Sequence, residues 1–421
     1  MRKRKFALVT ATALAITALA GCGAEPAPTS SGPVTLTFAT YHWLEKGRGD
    51  VMWKVIESYT KTHPNVTIEQ VSYSRADYEK TLSTQIGSGK GPDLLHAPDP
   101  FFFELQDAGA LVSLEDVLDD AGKASLTSEN ELYVVDGKPY AFVWETAGYG
   151  FFYDKRVLAD HGITAPTTFE ELVAAAKQLT AETGKPAIAT RHLMNEESAW
   201  WNDHLAWIYG VGGDLSDGSN LTLNSPANIQ AETYFKELYD SGAFAVGDDS
   251  ATFREKFKQG EIPMLIDAAG TQVSLTKGNE IVPPESVGSS LIPFPSKGTQ
   301  FIGGGLAINA NSAHVVEAKE FLRWMYSPEI QTQLAEGMFP SLVGTNIEVP
   351  KHLFTEFPWF QPIYEGLKSN PKPVVIRGFE LKTPQVRTIF LTQIERVLTQ
   401  DVDVTEALNE AQRQAEEVVR H

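Results

Sequence analysis

The chain of 421 residues contains a single cysteine, Cys22, and this scarcity excludes several kinds of site. With one thiol, neither an internal disulfide nor a metal site built from several thiolates can form. Basic residues are also in deficit, 35 against 54 acidic residues, which gives a formal net charge of −19. Such an acidic chain is repelled by the phosphate backbone of nucleic acids, so we expect no nucleic-acid partner.

Catalytic signatures are missing as well. The sequence has no Gly-x-Ser-x-Gly elbow, no His-Glu-x-x-His pair and no Gly-rich phosphate loop followed by Lys-Ser or Lys-Thr. Asp99 and Glu145 could be imagined as a glycosidase pair, but that chemistry needs two carboxyl groups at a defined separation, which no sequence spacing here enforces. We therefore expect neither an enzyme nor a cofactor, and a secreted glycoside-acting enzyme stays as the lesser alternative.

The amino terminus has the pattern of an export signal. Four basic residues at positions 2–5 precede an uncharged run that ends in small residues and is too short for a comfortable membrane span. The Leu-Ala-Gly-Cys sequence at 19–22 resembles the bacterial lipoprotein signal, which implies cleavage before Cys22 and lipid attachment to its thiol. A plain secretory signal with an incidental cysteine is the alternative. Loss of residues 1–21 removes four basic residues and changes the net charge from −19 to −23.

Beyond this signal, the chain predicts a short tether and then α/β domains. Residues 22–33 are small, polar and rich in proline, as in a flexible linker. From Val34 onward, apolar alternation and helical spacing predict the order β-α-β-α-β, which favours a largely parallel sheet with ligands beyond the carboxyl ends of its strands. About 400 residues are too many for one ordinary core and suit two domains.

Several helix boundaries are marked by capping residues. Thr167 with Glu170 predicts a capping box, and Gly184 predicts the end of the same helix. Ser225-Pro226 and Ser327-Pro328 each place a cap residue before a proline in the first helical position.

Four segments, read in order, resemble the extracellular solute-binding proteins of sugar ABC transporters (family 1), of the maltodextrin-binding type. Each is weak alone, but their order and spacing extend over most of residues 34–421. The segments are GPDLL at 91–95 with GAL at 109–111; DGKPY at 136–140 with FYDK at 152–155 and PTTFEEL at 166–172; Phe253, Phe257 and Gly260 with MLI at 264–266; and GGGLAI at 303–308 with SPE at 327–329.

This resemblance implies an α/β fold arranged as a two-lobed periplasmic-binding-protein clamp. Each lobe would be a mainly parallel sheet flanked by helices, and ligand would bind in the cleft and stabilise a closed form through hinge motion. By analogy, the first lobe comprises residues 34–141 and 306–342, and the second comprises 146–302 and 346–421.

The chain should cross between the lobes near residues 142–149, 303–306 and 342–345. The glycines at 303–305 suit a crossing because they permit backbone angles that other residues resist. A tight strand entry without motion is the alternative reading of these glycines.

A carbohydrate site needs flat aromatic rings for the apolar faces of the sugar and carboxylates or amides for its hydroxyls. We expect such residues after strands, at the crossings and in aromatic clusters of this chain. The predicted ligand-binding residues are Tyr41, Trp43, Glu45, Asp99, Trp144, Glu145, Trp200, Trp201, Asp267, Gly304 and Arg377.

Some of these assignments have alternatives. Trp43 is expected to stack on the sugar or to cap the core of the first lobe, and Arg377 to reach the cleft or to pack on the surface. One of Trp200 and Trp201 is expected to face the cleft, because consecutive tryptophans cannot both lie on one core-facing stripe of a helix. Asp99 matches an aspartate of the maltodextrin-type proteins, although Pro100 replaces their neighbouring arginine.

The sequence therefore predicts an exported substrate-binding protein that captures an oligosaccharide or glycoside and delivers it to an ABC permease. We expect a monomer, either lipid-anchored to the outer face of the plasma membrane or in the periplasm, with contact to the membrane only through lipid. The same clamp could instead bind a polyol or a phosphorylated or sulfonated sugar. The candidate cations for an anionic ligand are Arg48, Arg75, Arg191 and Arg377.

Overall fold

The computed structural model of the protein describes residues 32–45, 48–75, 77–296, 298–369 and 371–420, with Arg48 described by its backbone only. The predicted signal peptide, Cys22 and nearly all of the tether lie outside these residues. The body of the chain, from Pro33 onward, forms one compact unit. Within the described part of the chain, none of the helices combines the length and the apolar character that crossing a membrane requires.

The first sheet has the predicted β-α-β-α-β order. The strands of this part of the sheet and the helices that connect them are β1 Val34–Ala39, α1 Arg48–Thr62, β2 Val66–Val71, α2 Tyr78–Gly87 and β3 Leu94–Pro98, and α3 Asp99–Asp107 follows. Strand β1 lies in the middle and pairs in parallel with both β2 and β3. The apolar alternation and helical spacing that predict this order are confirmed, since Leu36 and Phe38 on β1 and Tyr78, Leu82 and Ile86 on α2 are buried.

The remaining elements follow in chain order, and five short 3-10 turns lie among the described residues. They are α4 Asp120–Ala124, β4 Val134–Val135, β5 Lys138–Pro139, β6 Ala141–Asp154, α5 Lys155–Asp160, α6 Phe169–Thr183, β7 Ile188–Ala189, α7 Glu197–Gly210, α8 Pro226–Asp240, α9 Ser250–Lys258, β8 Met264–Ala268, α10 Ala269–Thr276, β9 Val287–Ser290, β10 Thr299–Ile308, α11 Val315–Met325, α12 Pro328–Gly337, α13 Lys351–Glu356, α14 Phe360–Ser369, β11 Pro371–Pro373, α15 Thr383–Gln400 and α16 Val404–Val419.

Two long strands join the two halves of the sheet. Strand β10 pairs antiparallel with β3 and with β6, and β6 then continues into antiparallel pairs with β8 and β9. The resulting order is β2-β1-β3-β10-β6-β8-β7, with β7 parallel to β8. A third strand-like contact accompanies them, since Leu342 and Thr146 exchange both backbone hydrogen bonds at 2.8 Å. The protein is thus a two-lobed α/β clamp whose lobes share their central strands.

The buried apolar side chains form four clusters that fall into two groups along the sequence. In the described chain, the buried members of two clusters lie within residues 34–144 and 306–343. Those of the other two lie within residues 151–301 and 349–415. Each lobe therefore has a core of its own, and the cores meet at the shared strands.

The close contact between β10 and β3 depends on Gly304. A Cβ atom at this position would lie 1.9 Å from Nε2 of the buried His96. Substitution Gly304→Ala should therefore lower the free energy of unfolding by about 2 kcal/mol, as overpacking does in a dense core. Urea denaturation of the purified protein measures this change.

Gly87→Ala is the matched control, because a Cβ atom there meets no described heavy atom within 4 Å. It should leave the free energy of unfolding within about 1 kcal/mol of the wild type. Equal stability of Gly304→Ala and Gly87→Ala would show that His96 moves aside at no cost.

Candidate ligand-binding site

One face of β6 carries a row of residues that connects the two lobes. Alternate residues of a strand share a face, and β6 pairs with β10 without interruption from Glu145 to Gly148. Glu145, Ala147 and Tyr149 therefore lie on one face of the crossing strand. Glu145 and Tyr149 are buried, whereas Ala147 between them is partly exposed.

The first lobe holds Glu145 through a histidine that follows β1. His42 lies in the 3-10 turn Tyr41–Leu44, where Thr40 caps the turn by accepting the His42 backbone N–H at 3.2 Å. The imidazole Nε2 is 3.0 Å from Oε1 of Glu145, and the indole N–H of Trp144 donates to Nδ1 at 3.2 Å. One imidazole thus contacts two consecutive residues of β6.

Asp99, at the start of α3, is held by uncharged donors. The hydroxyl of Tyr133 donates to Oδ1 at 2.5 Å, and the backbone N–H of Gly303 donates to Oδ2 at 3.1 Å. Asp99 is only 1% exposed, and this burial raises the pKa of its carboxyl to about 6, although both hydrogen bonds oppose the shift. The predicted Asp99 therefore links β3 to the crossing strand β10.

The second lobe presents a compact group of four charges at the carboxyl ends of β7 and β8. Nε and Nη2 of Arg254 donate to the two carboxylate oxygens of Asp267 at 2.8 and 2.7 Å. Nη1 of Arg191 lies 2.8 Å from both oxygens of Asp203 and 3.5 Å from Oδ1 of Asp267. Nε of Arg191 also lies 3.7 Å from Oε1 of Glu196, so a third carboxylate adjoins the group.

This charge group also reaches the crossing strand. Burial and then the negative charge of Asp203 raise the pKa of the Tyr149 hydroxyl well above its usual value. Burial alone would lower the pKa of Arg191, but Asp203 and Asp267 together raise it. The guanidinium of Arg191 therefore stays charged and forms ion pairs with Asp203 and Asp267.

Two large cavities are lined by residues of both lobes. One, of about 1130 Å³, includes Glu45, which follows β1, and Gly270 on α10, which follows β8. The other, of about 850 Å³, includes Phe103 on α3 and Arg377. Among the described residues, the lining of neither cavity includes Asp99, Glu145 or Asp267.

The structure corrects the expected orientation of three tryptophans. Trp200 and Trp201 are 0% and 2% exposed and both belong to the largest core cluster, because α7 is buried on nearly all its sides rather than along one stripe. Trp144 is likewise 2% exposed and packs edge-on against Phe38, so its ring offers no surface for stacking.

Other predicted residues serve the protein's own packing. Asp267 is fully buried and its oxygens accept from Arg254, while Gly304 makes room for His96. Trp43 is partly buried, donates its indole N–H to the Phe38 carbonyl at 3.0 Å and packs against the first-lobe core. These contacts fit the alternative that Trp43 caps the core.

Three predicted residues have solvent-accessible side chains: Tyr41 and Glu45 are partly exposed, and Arg377 is exposed. The guanidinium of Arg75 lies over the ring of Tyr41, 4.6 Å from its centroid, and Glu45 and Arg377 line the two cavities. Arg75 also donates to Glu79 at 2.8 Å.

Sequence reasoning overlooks His42, Asp203 and Arg254. His42 stands within the segment after β1 that supplies three of the predicted residues, and Asp203 stands two residues after Trp201. No pattern distinguishes them, because each acquires its partner only through the fold. In the part of the chain that the structure describes, no group of three or more His, Cys, Asp or Glu side chains is arranged to hold a metal ion.

Comparison with known proteins gives the same clamp. The solved crystal structure of the cyclic alpha-maltosyl-1,6-maltose binding protein from Arthrobacter globiformis matches with a TM-score of 0.80 at 21% identity, over 92% of this chain and 99% of that chain. This likeness confirms the two-lobed fold that the sequence predicts.

Sequence comparison assigns the family. A family model described as bacterial extracellular solute-binding protein matches residues 44–332, and the chain belongs to this family. The chain is 25% identical over 317 residues to the diacetylchitobiose binding protein DasA of Streptomyces coelicolor, which covers 71% of this chain and 72% of DasA. It is 21% identical over 378 residues to the melibiose/raffinose/stachyose-binding protein MelE of Bacillus subtilis, which covers 85% of this chain and 86% of MelE.

The buried carboxyl of Asp99 should make stability depend on pH. Because its folded pKa, about 6, is above the ordinary value of 3.8, its contribution to the free energy of unfolding is present at low pH and is lost as pH rises through about 6. Asp99→Asn, whose amide can mimic the neutral acid, should remove this dependence and gain up to roughly 3 kcal/mol over the wild type at pH 7. Urea denaturation between about pH 4 and pH 7 measures the difference.

Asp217→Asn is a control for which the pH dependence of stability should have the opposite sign. Hydrogen bonds from the backbone of Ser219 and Asn220 lower the pKa of the exposed Asp217. Its stabilising contribution is therefore present at neutral pH and is lost as pH falls, so Asp217→Asn should be less stable than the wild type at pH 7. A constant difference between Asp99→Asn and wild type at every pH would contradict the raised pKa of Asp99.

Proposed function

We propose that the protein is the extracytoplasmic substrate-binding component of an ABC importer and that it captures a carbohydrate between its lobes. Family membership and the sugar-binding names of DasA and MelE support this proposal. The observation that carries it is the face of β6, where Glu145 is held by the first lobe, Tyr149 adjoins the charge group of the second, and the partly exposed Ala147 lies between them. A ligand on this face would contact Glu145, which the first lobe holds, and Tyr149, which adjoins the second lobe.

The proposed ligand is neutral and rich in hydroxyl groups. Arg191 and Arg254 already bind Asp203 and Asp267, and Arg75 binds Glu79 and lies over Tyr41. A phosphorylated or sulfonated sugar would have to compete with these carboxylates for the guanidinium groups. Oε1 of Glu145 lies 3.0 Å from Nε2 of His42, and this carboxylate is the proposed first-lobe acceptor for a sugar hydroxyl.

Lobe boundaries and closure belong to the same proposal. The separate cores support a first lobe of residues 34–141 and 306–342 and a second of 146–302 and 346–421. Relative rotation of the lobes about the shared strands would admit ligand to the buried face of β6, and ligand contacts to both lobes would favour closure. The protein would act as a monomer, change no bond in its cargo, and release it to the permease.

A binding screen tests the proposal. The panel would contain diacetylchitobiose, melibiose, raffinose, a polyol and a phosphorylated sugar. Thermal unfolding of the protein would be measured in the presence of each compound. A ligand at a hundred times its dissociation constant stabilises by about 2.7 kcal/mol, which should raise the melting temperature by about 2–4 °C. We expect a shift with a neutral sugar. A shift only with the phosphorylated compound would move the assignment to an anionic ligand, and a consumed compound would indicate an enzyme.

Ala147→Trp locates the site for whichever sugar binds. An indole on the exposed position of the β6 face should raise the dissociation constant by about 100-fold or more, since it fills the space between Glu145 and Tyr149. Ala147→Ser, a small substitution, should stay within about threefold. Isothermal titration calorimetry measures both values, and unchanged affinity of Ala147→Trp would place the ligand elsewhere.

We also propose that lipid at Cys22 anchors the exported protein. In cells, Cys22→Ser should shift the protein from the membrane fraction to the soluble fraction, because lipid would be its only attachment. Fractionation followed by immunoblotting measures the distribution. A Ser30→Ala variant in the tether serves as control and should fractionate as the wild type does; membrane retention of Cys22→Ser would rule out the anchor.

A further inference from the structure

We propose that His42 is a positioning residue, which orients the carboxylate of Glu145 for ligand and acts on binding only through it. The inference rests on the proposed carbohydrate function and adds a role for a residue outside the expected site. Its physical basis is the pair of contacts that one imidazole makes, 3.0 Å from Glu145 Oε1 and 3.2 Å from the indole nitrogen of Trp144.

The contact with Trp144 determines which nitrogen of His42 carries the proton. An indole N–H can only donate, so Nδ1 of His42 must accept and is unprotonated. The ring proton of a neutral imidazole then lies on Nε2, where it points at Glu145 and donates to Oε1. Trp144 thereby directs the donor of His42 toward the carboxylate.

The imidazole itself is held on several sides. His42 is 1% exposed, and its ring stacks on that of His96 with centroids 5.0 Å apart and planes 26° apart. The ring of Tyr41 meets it edge-on at 4.4 Å, and Thr40 fixes its backbone. A ring packed in this way cannot turn, so it holds the carboxylate in one orientation.

Glu145 is less deeply buried than His42. Its side chain is 11% exposed, whereas that of His42 is 1% exposed. When the lobes rotate apart, a sugar hydroxyl that approaches β6 would therefore meet the carboxylate of Glu145 before the imidazole behind it. Because a glutamate has several rotatable bonds, fixing it before ligand arrives reduces the entropy lost on binding.

A double-mutant cycle tests this role. His42→Leu removes both contacts and should raise the dissociation constant by about 3- to 10-fold, the cost of ordering one flexible side chain. His42→Gln offers an amide N–H to Glu145 and a carbonyl to Trp144, so it should restore affinity to within about twofold of the wild type. In a Glu145→Ala background, His42→Leu should change affinity by less than about twofold.

The probe is whichever of diacetylchitobiose, melibiose and raffinose binds the wild type, measured by calorimetry, with melting temperatures as a check on folding. An equal loss from His42→Leu with and without Glu145 would overturn the proposal, because His42 would then act on ligand directly or through the fold. Unchanged affinity of His42→Leu, or failure of His42→Gln to restore it, would overturn it as well.

Nitrogen-15 NMR of the wild type separates the positioning role from the proposed function. Without ligand at neutral pH, the His42 nitrogens should show a protonated Nε2 and an unprotonated Nδ1. A proton on Nδ1 would overturn the proposal even if a sugar binds. Absence of binding to every carbohydrate, with the expected tautomer present, would instead refute the carbohydrate function and leave only the His42–Glu145 hydrogen bond.

Discussion

The antiparallel pairing of β6 with β10 is the constraint on which the rest of the molecule depends, because these strands belong to both lobes at once. The pairing also fixes the site through a chain of contacts. Gly304 on β10 leaves room for His96, and the ring of His96 supports that of His42. His42 in turn holds Glu145 on β6. A glycine in one crossing strand thus controls the orientation of a carboxylate in the other.

The two lobes stabilise their buried carboxylates in different ways. In the second lobe, Asp203 accepts hydrogen bonds from Arg191, and Asp267 accepts them from Arg254. In the first lobe, Asp99 and Glu145 are held by a hydroxyl, a backbone N–H and an imidazole N–H. If Glu145 binds the sugar as proposed, an acceptor for its hydroxyl groups comes from the first lobe.

Features decided by neighbours along the chain could be predicted from the sequence. The apolar stripe of α2, the end of α6 at Gly184 and the Ser-Pro starts of α8 and α12 depend on neighbours along the chain, and the structure has them. Ser225 caps α8 with its side chain, whereas Ser327 makes no such hydrogen bond at the start of α12. The capping box is wrong by one residue, since Thr168 rather than Thr167 accepts from the backbone of Glu171. The expectation that α7 buries only one stripe of side chains is wrong. Other elements surround this helix, so Trp200 and Trp201 are both buried.

The candidate site could be predicted only as a set of segments, because its contacts join residues far apart in sequence. His42 and Trp144 are separated by 102 positions, and Asp99 and Gly303 by 204. A β-bulge is decisive here: Gly304 pairs with Glu145 while Gly305 pairs with Val143, so Trp144 is an extra residue in β6. Regular alternation would place Trp144 and Glu145 on opposite faces, yet both contact one imidazole. Only the register with β10 reveals this, and that register is a property of the folded sheet.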